Sequence, residues 1–101
     1  MSRVQITPEA KADLFEIWEY IASKSGVDAA DRVLGILQKE ISKIGEVPGG
    51  GHFREEFIDK SIRFWNIYSY LIAYRWEASP IEIVAVIHGA RDMAVFLQDR
   101  L

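Results

Sequence analysis

The chain has 101 residues, half of them hydrophobic and 27% charged, a composition typical of one folded domain spanning residues 1–101. Twelve Lys and Arg residues against fifteen Asp and Glu give a net charge of −3, so we expect no direct specific binding of nucleic acid. The absence of cysteine excludes disulfides, thiolate metal sites and cysteine nucleophiles. The longest apolar runs, such as residues 83–87, are too short to cross a membrane, and no signal-peptide hydrophobic region opens the chain. We therefore expect a cytoplasmic protein with no membrane association.

The first third of the chain predicts a short strand and a helix. Val4 and Ile6 alternate with polar residues, as in a strand, and Thr7-Pro8-Glu9 is typical of a helix start. The helix is expected to end near Lys24, before Gly26. Its predicted apolar face comprises Ala10, Leu14, Ile17, Trp18 and Ile21, and its predicted polar face comprises Glu9, Asp13, Glu16 and Glu19.

A second helix is predicted directly after the first. Asp28 is placed to cap its start and Gly45 to end it in the left-handed conformation. Its apolar residues recur at steps of four and three: Ala30, Leu34, Leu37, Ile41 and Ile44. The two helices then form an αα-hairpin. The glycines that follow, residues 49–51, favour a mobile connector over a phosphate-binding loop, because no Lys-Ser or Lys-Thr follows them.

The second half of the chain changes to an extended pattern. Residues 62–66, 68–76 and 81–87 are rich in aromatic and β-branched side chains, and their short connections require antiparallel hairpins. Asp92 can cap a last helix of about ten residues, whose apolar side is Met93, Phe96, Leu97 and Leu101. The predicted fold is α+β: an antiparallel sheet packed by an N-terminal α-hairpin, in the order β-α-α-β-β-β-α.

The predicted strands are apolar on both faces, and such strands need cover on both sides. The helical hairpin can cover only one face of the sheet. Two outcomes remain open: apolar surface is left for a partner, or the last helix and residues 45–61 cover the second face.

Several segments in order along the chain resemble the ParE-type toxins of the RelE/ParE superfamily. The resemblance rests on Thr7-Pro8-Glu9-Ala10, Asp13-Leu14, Ile17-Trp18-Glu19-Tyr20-Ile21, Ile62-Arg63, Tyr70-Leu71-Ile72-Ala73-Tyr74-Arg75 and His88-Gly89-Ala90-Arg91-Asp92. It implies the toxin of a type II toxin–antitoxin system, held inactive by a ParD-like antitoxin. Characterised ParE members are associated with inhibiting DNA gyrase, whereas RelE relatives cut messenger RNA on the ribosome. A fold of this kind can also serve as a binding module without toxicity.

A ribosome-dependent ribonuclease would need an acid–base group and cations for the phosphate, and His88, Arg63, Arg75 and Arg91 supply those residue types. The acidic balance of the chain disfavours this alternative, so we expect no catalytic residue and an inhibitor that acts by binding. The two histidines have no carboxylate at a recognised ligand spacing, and we expect neither a metal site nor a cofactor.

Protein contacts are expected from aromatic, aliphatic and arginine side chains. Tyr20 stands out because the helical wheel places it on the polar side of the first helix. The residues predicted to bind the antitoxin are Tyr20, Trp65, Tyr68, Tyr70, Arg75 and Trp76. Those predicted to contact the target are Arg63, Arg91, Phe96 and Leu97.

Overall fold

A computed structural model describes residues 4–55, 57, 59–89 and 92–101. Its elements follow the predicted order β-α-α-β-β-β-α, with one short 3₁₀ turn at Pro48–Gly50. The strands are β1 (Val4–Ile6), β2 (Ile62–Ile67), β3 (Tyr70–Arg75) and β4 (Ile81–His88). The helices are α1 (Pro8–Ser25), α2 (Val27–Glu46) and α3 (Met93–Leu97).

The helix ends agree with the sequence at some positions and differ at others. The Thr7 hydroxyl accepts from the Ala10 N–H, as its place before Pro8 predicts. Gly26 separates α1 from α2 with φ 95°, a left-handed value that suits glycine. The expected cap by Asp28 is wrong, because α2 begins one residue earlier and no side chain caps it. Gly45 does not end α2 either: it lies inside the helix, which continues to Glu46.

The sheet has the strand order β1-β4-β3-β2. Strands β2, β3 and β4 pair antiparallel as expected, while β1 lies parallel to β4 at the edge and makes the sheet mixed. The ladder between β3 and β4 shifts by one residue, since Ala73 pairs with Ala85 and Tyr74 with Ile83. Val84 is thus the extra residue of a bulge, a feature that frees backbone groups from the ladder.

Both faces of the sheet are covered by the chain itself. The α1–α2 hairpin packs on one face, against a buried cluster that includes Ile72, Tyr74 and Ile83. On the other face Met93 and Leu97 of α3, together with Phe57, cover a second cluster. Of the two outcomes that the sequence left open, the structure therefore has the second, and the sheet leaves no large apolar face for a partner within the described residues.

The turn at residues 48–51, which we call the glycine turn, packs more closely against the sheet than a mobile connector would. The Tyr74 hydroxyl donates to the Pro48 carbonyl at 2.6 Å and accepts from the Gly51 N–H at 2.9 Å. A Cβ at Gly51 would lie 2.3 Å from the same hydroxyl, so only glycine fits there. The turn is therefore fastened to the centre of the sheet by a buried phenol.

The last helix is shorter than expected. It spans five residues, and the Asp92 carboxylate accepts from the Ala94 and Val95 N–H groups as predicted. A helix this short is not stable alone, and it depends on the buried side chains of Met93 and Leu97. None of the helices in the described ranges is long and apolar enough to pass through a bilayer.

Candidate functional site

A groove of about 430 Å³ opens between α1, one end of the sheet and α3. We call it the helix–sheet groove. Its lining residues are Asp13, Glu16, Ile17, Tyr20 and Ile21 from α1, Tyr70, Val86 and His88 from β3 and β4, and Phe96 from α3. The lining combines aliphatic and aromatic side chains with a few polar groups, a combination typical of a surface that binds another molecule.

The two tyrosines of the groove differ in their exposure to solvent. Tyr20 is 65% exposed on α1, where the sequence placed it on the polar side. Tyr70 meets His88 edge to face, with ring centroids 5.5 Å apart. Burial raises the pKa of Tyr70 above its ordinary value, with a smaller contribution from Tyr20. The Tyr70 phenol therefore stays neutral at physiological pH.

One wall of the groove is held by an ion pair between Asp13 and Arg100. The guanidinium binds both carboxylate oxygens of Asp13, one of them through Nη2 at 2.8 Å, and lies 4.4 Å from the centre of the Phe96 ring. This pairing raises the pKa of Arg100 above its ordinary value, chiefly through the hydrogen bonds to Asp13. The pair thus fixes Phe96 of α3 beside α1.

The same ion pair also supplies hydrogen-bond partners for the backbone of β4, in the part of its edge that extends past the short strand β1. Asp13 Oδ2 accepts from the Val86 N–H at 3.0 Å, and Arg100 Nη1 donates to the carbonyl of Val84, the bulge residue, at 3.2 Å. Unpaired backbone groups at a sheet edge invite pairing with another chain. Here the side chains of Asp13 and Arg100 form hydrogen bonds with these backbone groups.

Sequence analysis missed this role of Asp13, which it assigned to the polar face. Asp13 is only 5% exposed, because it lies three residues after buried Ala10 and four before Ile17, on the same side of α1. That spacing was the available signal. The partner, Arg100, follows from the tertiary fold alone.

The opposite end of the sheet, where Arg75 pairs with Glu82, is packed internally. The Arg63 guanidinium lies between two rings, 4.3 Å from the centre of Phe53 and 4.1 Å from that of Trp76. Its Nη1 donates to the Gly51 carbonyl at 2.9 Å. Arg75 Nε lies 3.2 Å from the Glu82 carboxylate. These contacts favour a structural role for both arginines.

Of the residues considered for ribonuclease chemistry, the three that the structure describes are not brought together. His88 pairs with Tyr70 in the ladder and Arg75 with Glu82, five residues further along β3. Five residues of an antiparallel strand span about 17 Å. Arg63 lies beside Tyr74, also far from His88, and Arg91 lies outside the described residues. Within the described ranges, no group of three or more histidine or acidic side chains is placed to hold a metal ion.

The residues predicted to bind the antitoxin divide between several places. Tyr20 and Tyr70 line the helix–sheet groove, and Tyr68 is 82% exposed in the β2–β3 turn next to it. The Trp65 indole donates to Glu40 on α2 at 2.9 Å, which places it between the sheet and the helical hairpin. Trp76 lies at the far end, where its indole donates to the Lys60 carbonyl. Of the described residues in this set, Tyr20 and Tyr70 share the groove, and Tyr68 lies outside its lining.

The residues predicted to contact the target are separated as well. Phe96 lines the groove, whereas Leu97 beside it is 1% exposed and belongs to the core. Leu97 can therefore support a contact surface by anchoring α3 but does not reach a partner itself. Arg63 is held between aromatic rings as described above.

Comparison with known proteins adds sequence and fold relatives. A family model described as "ParE toxin of type II toxin-antitoxin system, parDE" matches residues 4–93. The protein named Toxin ParE1 of Mycobacterium tuberculosis (strain H37Rv) is 32% identical over 93 residues, which cover 91% of this chain and 94% of the relative. Toxin ParE1 of Caulobacter vibrioides is 33% identical over 97 residues, which cover 96% and 99%.

A solved structure shares the fold. The "Chromosomal ParDE TA system from P. aeruginosa" matches with a TM-score of 0.72 over 87% of this chain and 95% of that one. At 19% sequence identity this likeness concerns the fold alone. It confirms the α+β architecture of the RelE/ParE kind predicted from the sequence.

Proposed function

The chain belongs to the ParE toxin family of type II toxin–antitoxin systems, and on that premise we propose that it is a cytoplasmic toxin that acts by binding a target protein. A ParD-like antitoxin neutralises it. DNA gyrase is the proposed target, because the characterised ParE toxins that this sequence resembles are associated with inhibiting that enzyme.

The helix–sheet groove carries the proposal. It combines aliphatic residues, such as Ile17 and Ile21, with the exposed phenol of Tyr20 and the partly buried ring of Tyr70. Tyrosine side chains in a well-packed depression are among the residues that dominate affinity at protein interfaces, and surrounding charges orient the partner. We assign this groove to a segment of the antitoxin that folds on binding, a common behaviour of disordered protein tails.

Binding is favoured over catalysis by the placement of His88, Arg63 and Arg75. A ribonuclease needs its acid–base group and its phosphate-binding cations around one reacting phosphate. His88 and Arg75 lie about 17 Å apart along the sheet. That separation is several times the hydrogen-bond distance at which both side chains would have to contact one phosphate. The Arg63 guanidinium is stacked on Trp76, and the Arg75 guanidinium is paired with Glu82. Both groups therefore already have partners within the fold.

The groove is tested with two aromatic substitutions on α1. Tyr20→Ala should weaken binding of the ParD-like antitoxin encoded beside the toxin by about tenfold to hundredfold, since it removes an anchor of the groove. Phe15→Ala is the matched control, because Phe15 is 59% exposed on the same helix but does not line the groove. Affinity is measured by calorimetry with the purified proteins.

The opposite result, a loss of affinity with Phe15→Ala and none with Tyr20→Ala, would move the antitoxin to the outer side of α1. Absence of any complex with the antitoxin would contradict the toxin–antitoxin assignment itself. Normal growth during induced expression without antitoxin would instead favour a non-toxic binding module of the same fold.

A further inference from the structure

Strand β4 has an edge that β1 covers only in part. The two strands pair as far as Ile83, whose carbonyl accepts from the Thr7 N–H at 3.1 Å just before α1 begins. Beyond that point β4 continues to His88, and the helix–sheet groove opens beside Val86. This part of the edge can therefore be approached from the groove, and a strand edge is a template for pairing with another chain.

The bulge in β4 turns two backbone groups toward this part of the edge. Val84 is the extra residue where the register between β3 and β4 shifts. The Val84 carbonyl and the Val86 N–H both bond to side chains, so both point away from β3. One acceptor and one donor on either side of Ala85 are the groups that a neighbouring strand would engage.

Asp13 and Arg100, which we call the edge ion pair, satisfy both groups. The Asp13 carboxylate accepts from the Val86 N–H at 3.0 Å, as the carbonyl of a neighbouring strand would. Arg100 Nη1 donates to the Val84 carbonyl at 3.2 Å, as the N–H of such a strand would. The two side chains are only 5% and 20% exposed. The edge ion pair thus replaces the hydrogen bonds of one residue of a paired strand.

Without the edge ion pair, this edge would be complementary to itself. In a twofold antiparallel arrangement centred on Ala85, the Val86 N–H of each copy would donate to the Val84 carbonyl of the other. Directly opposed residues of this kind lie close together, with about 4.5 Å between Cα atoms, and the small side chain of Ala85 suits that distance. A second copy of this chain therefore supplies the donor and the acceptor that the edge requires.

We propose that the edge ion pair prevents this chain from pairing with a second copy of itself through β4. Because both backbone groups are already bonded, an approaching strand gains no net hydrogen bond from them. Pairing of two copies would also cover Val86, which lines the helix–sheet groove. The edge ion pair therefore keeps the groove accessible, whichever protein the groove binds.

The choice of carboxylate agrees with this role. The pKa of Arg100 is raised chiefly by its hydrogen bonds to Asp13, whereas Glu9 and Glu16 on the same helix contribute by charge alone. Either glutamate could pair with a cation at the surface of α1. The carboxylate that Arg100 binds is the buried one, which also reaches the Val86 N–H.

The test opens the edge without leaving a buried charge. In the double variant Asp13→Ala/Arg100→Ala both backbone groups lose their partners, and no unpaired ion remains. We expect this variant to form dimers with at least about tenfold higher affinity than the parent, measured by sedimentation equilibrium on protein shown to be folded by circular dichroism. The control, Lys11→Ala/Glu19→Ala, removes one charge of each sign at exposed positions of α1 and should associate no more than the parent.

Hydrogen exchange at the Val86 amide identifies the surface through which copies meet. In the parent this amide should exchange slowly, like the amides of the sheet ladder. In the double variant it should exchange fast at low protein concentration and slowly in the dimer. Asp13→Asn retains an oxygen for the Val86 N–H and should associate no more than the parent, which separates the loss of hydrogen bonding from the loss of charge.

Three results would overturn the proposal. The first is a folded Asp13→Ala/Arg100→Ala variant that associates no more than the parent. The second is association that leaves the Val86 amide in fast exchange, since the copies would then meet elsewhere. The third is fast exchange of Val86 in the parent, because the edge would then be open already.

A second double variant covers the case in which Asp13→Ala/Arg100→Ala does not fold. Asp13→Leu/Arg100→Met opens the same two backbone groups and fills the space of the ion pair with apolar side chains, a replacement that proteins often tolerate. It should dimerise with slow exchange at Val86, and its failure to do so while folded would overturn the proposal in the same way.

Discussion

The two ends of the sheet use similar side chains in opposite ways. At the Arg75–Glu82 end, the Arg63 guanidinium is stacked between Phe53 and Trp76 and bonded to the Gly51 carbonyl. At the Tyr70–His88 end, the rings of Tyr20, Tyr68 and Tyr70 line pockets or face solvent. The difference arises because Gly51 and Phe53, from the chain between α2 and β2, pack on Arg63 at the first end, whereas at the second end α1, α3 and the sheet leave a groove open between them. Residue type alone therefore does not identify an interaction surface, because burial by the rest of the chain decides which side chains remain accessible.

The largest effect on stability is expected from Asp13→Ala. The change leaves the Arg100 guanidinium and the Val86 N–H without their carboxylate partner, and loss of one member of a buried ion pair costs about 3 kcal/mol or more of unfolding free energy. Urea unfolding of the purified chain measures it. Glu19→Ala, an exposed change on the same helix, should stay within about 0.5 kcal/mol of the parent. A loss below about 1 kcal/mol for Asp13→Ala would mean that the ion pair does not hold the groove wall.

A smaller effect is expected from Arg63→Ala. The change removes two stacking contacts and one hydrogen bond to Gly51, worth together about 2 kcal/mol. Antitoxin affinity and growth arrest by the folded variant should stay unchanged, because these contacts lie at the packed end. Arg63 was also predicted as a target contact, and this variant distinguishes the two roles. Loss of toxicity at unchanged stability would assign Arg63 to the target. It would also contradict the view that the Arg75–Glu82 end of the sheet has only a structural role.

Removal of one hydroxyl tests how firmly the glycine turn is held. Tyr74→Phe leaves the Gly51 N–H and the Pro48 carbonyl without a partner and should cost about 1 kcal/mol. Thermal unfolding measures the change, with Tyr68→Phe as the control, since the Tyr68 side chain is exposed. Equal melting temperatures for Tyr74→Phe and the parent would indicate that water replaces the phenol and that the turn is only loosely attached.

The smallest effect is expected at Glu40, and it depends on pH. The hydrogen bond from the Trp65 indole, followed by that from Lys43, lowers the pKa of Glu40 below its ordinary value of 4.5. A pKa lowered by folding contributes stability that is present above pH 4.5 and is lost as the pH falls through the folded value. Glu40→Gln should therefore be less stable than the parent at pH 7 by less than about 1 kcal/mol, and the gap should close on acidification. A gap that widens toward acid would contradict this sign.

Much of the fold follows from local patterns in the sequence. The order of elements, the Thr7 and Asp92 caps and the antiparallel central strands depend on neighbours within a few residues, and all were predicted correctly. The parallel pairing of β1 with β4 depends instead on where the helical hairpin returns the chain. The expected end of α2 at Gly45 failed because an interior glycine without a positive φ only weakens a helix.

The candidate site was predictable only in part. The exposure of Tyr20 follows from the helical wheel, and Tyr20 does line the groove. The ion pair of Asp13 with Arg100 joins residues 87 positions apart, and no periodicity reports such a contact. The packing of the Arg63 side chain likewise depends on the rings of Phe53 and Trp76, which come from different segments of the chain. Long-range packing decided which of the predicted contact residues remain available.

The central claim, inhibition by binding at the Tyr70–His88 end, is tested most directly by DNA supercoiling with purified gyrase and purified toxin. The account predicts that supercoiling falls in proportion to the toxin bound and that the ParD-like antitoxin restores it. A translation extract run beside it should keep its messenger RNA intact. Normal supercoiling together with messages cut in the extract, and protected by His88→Ala, would contradict the account.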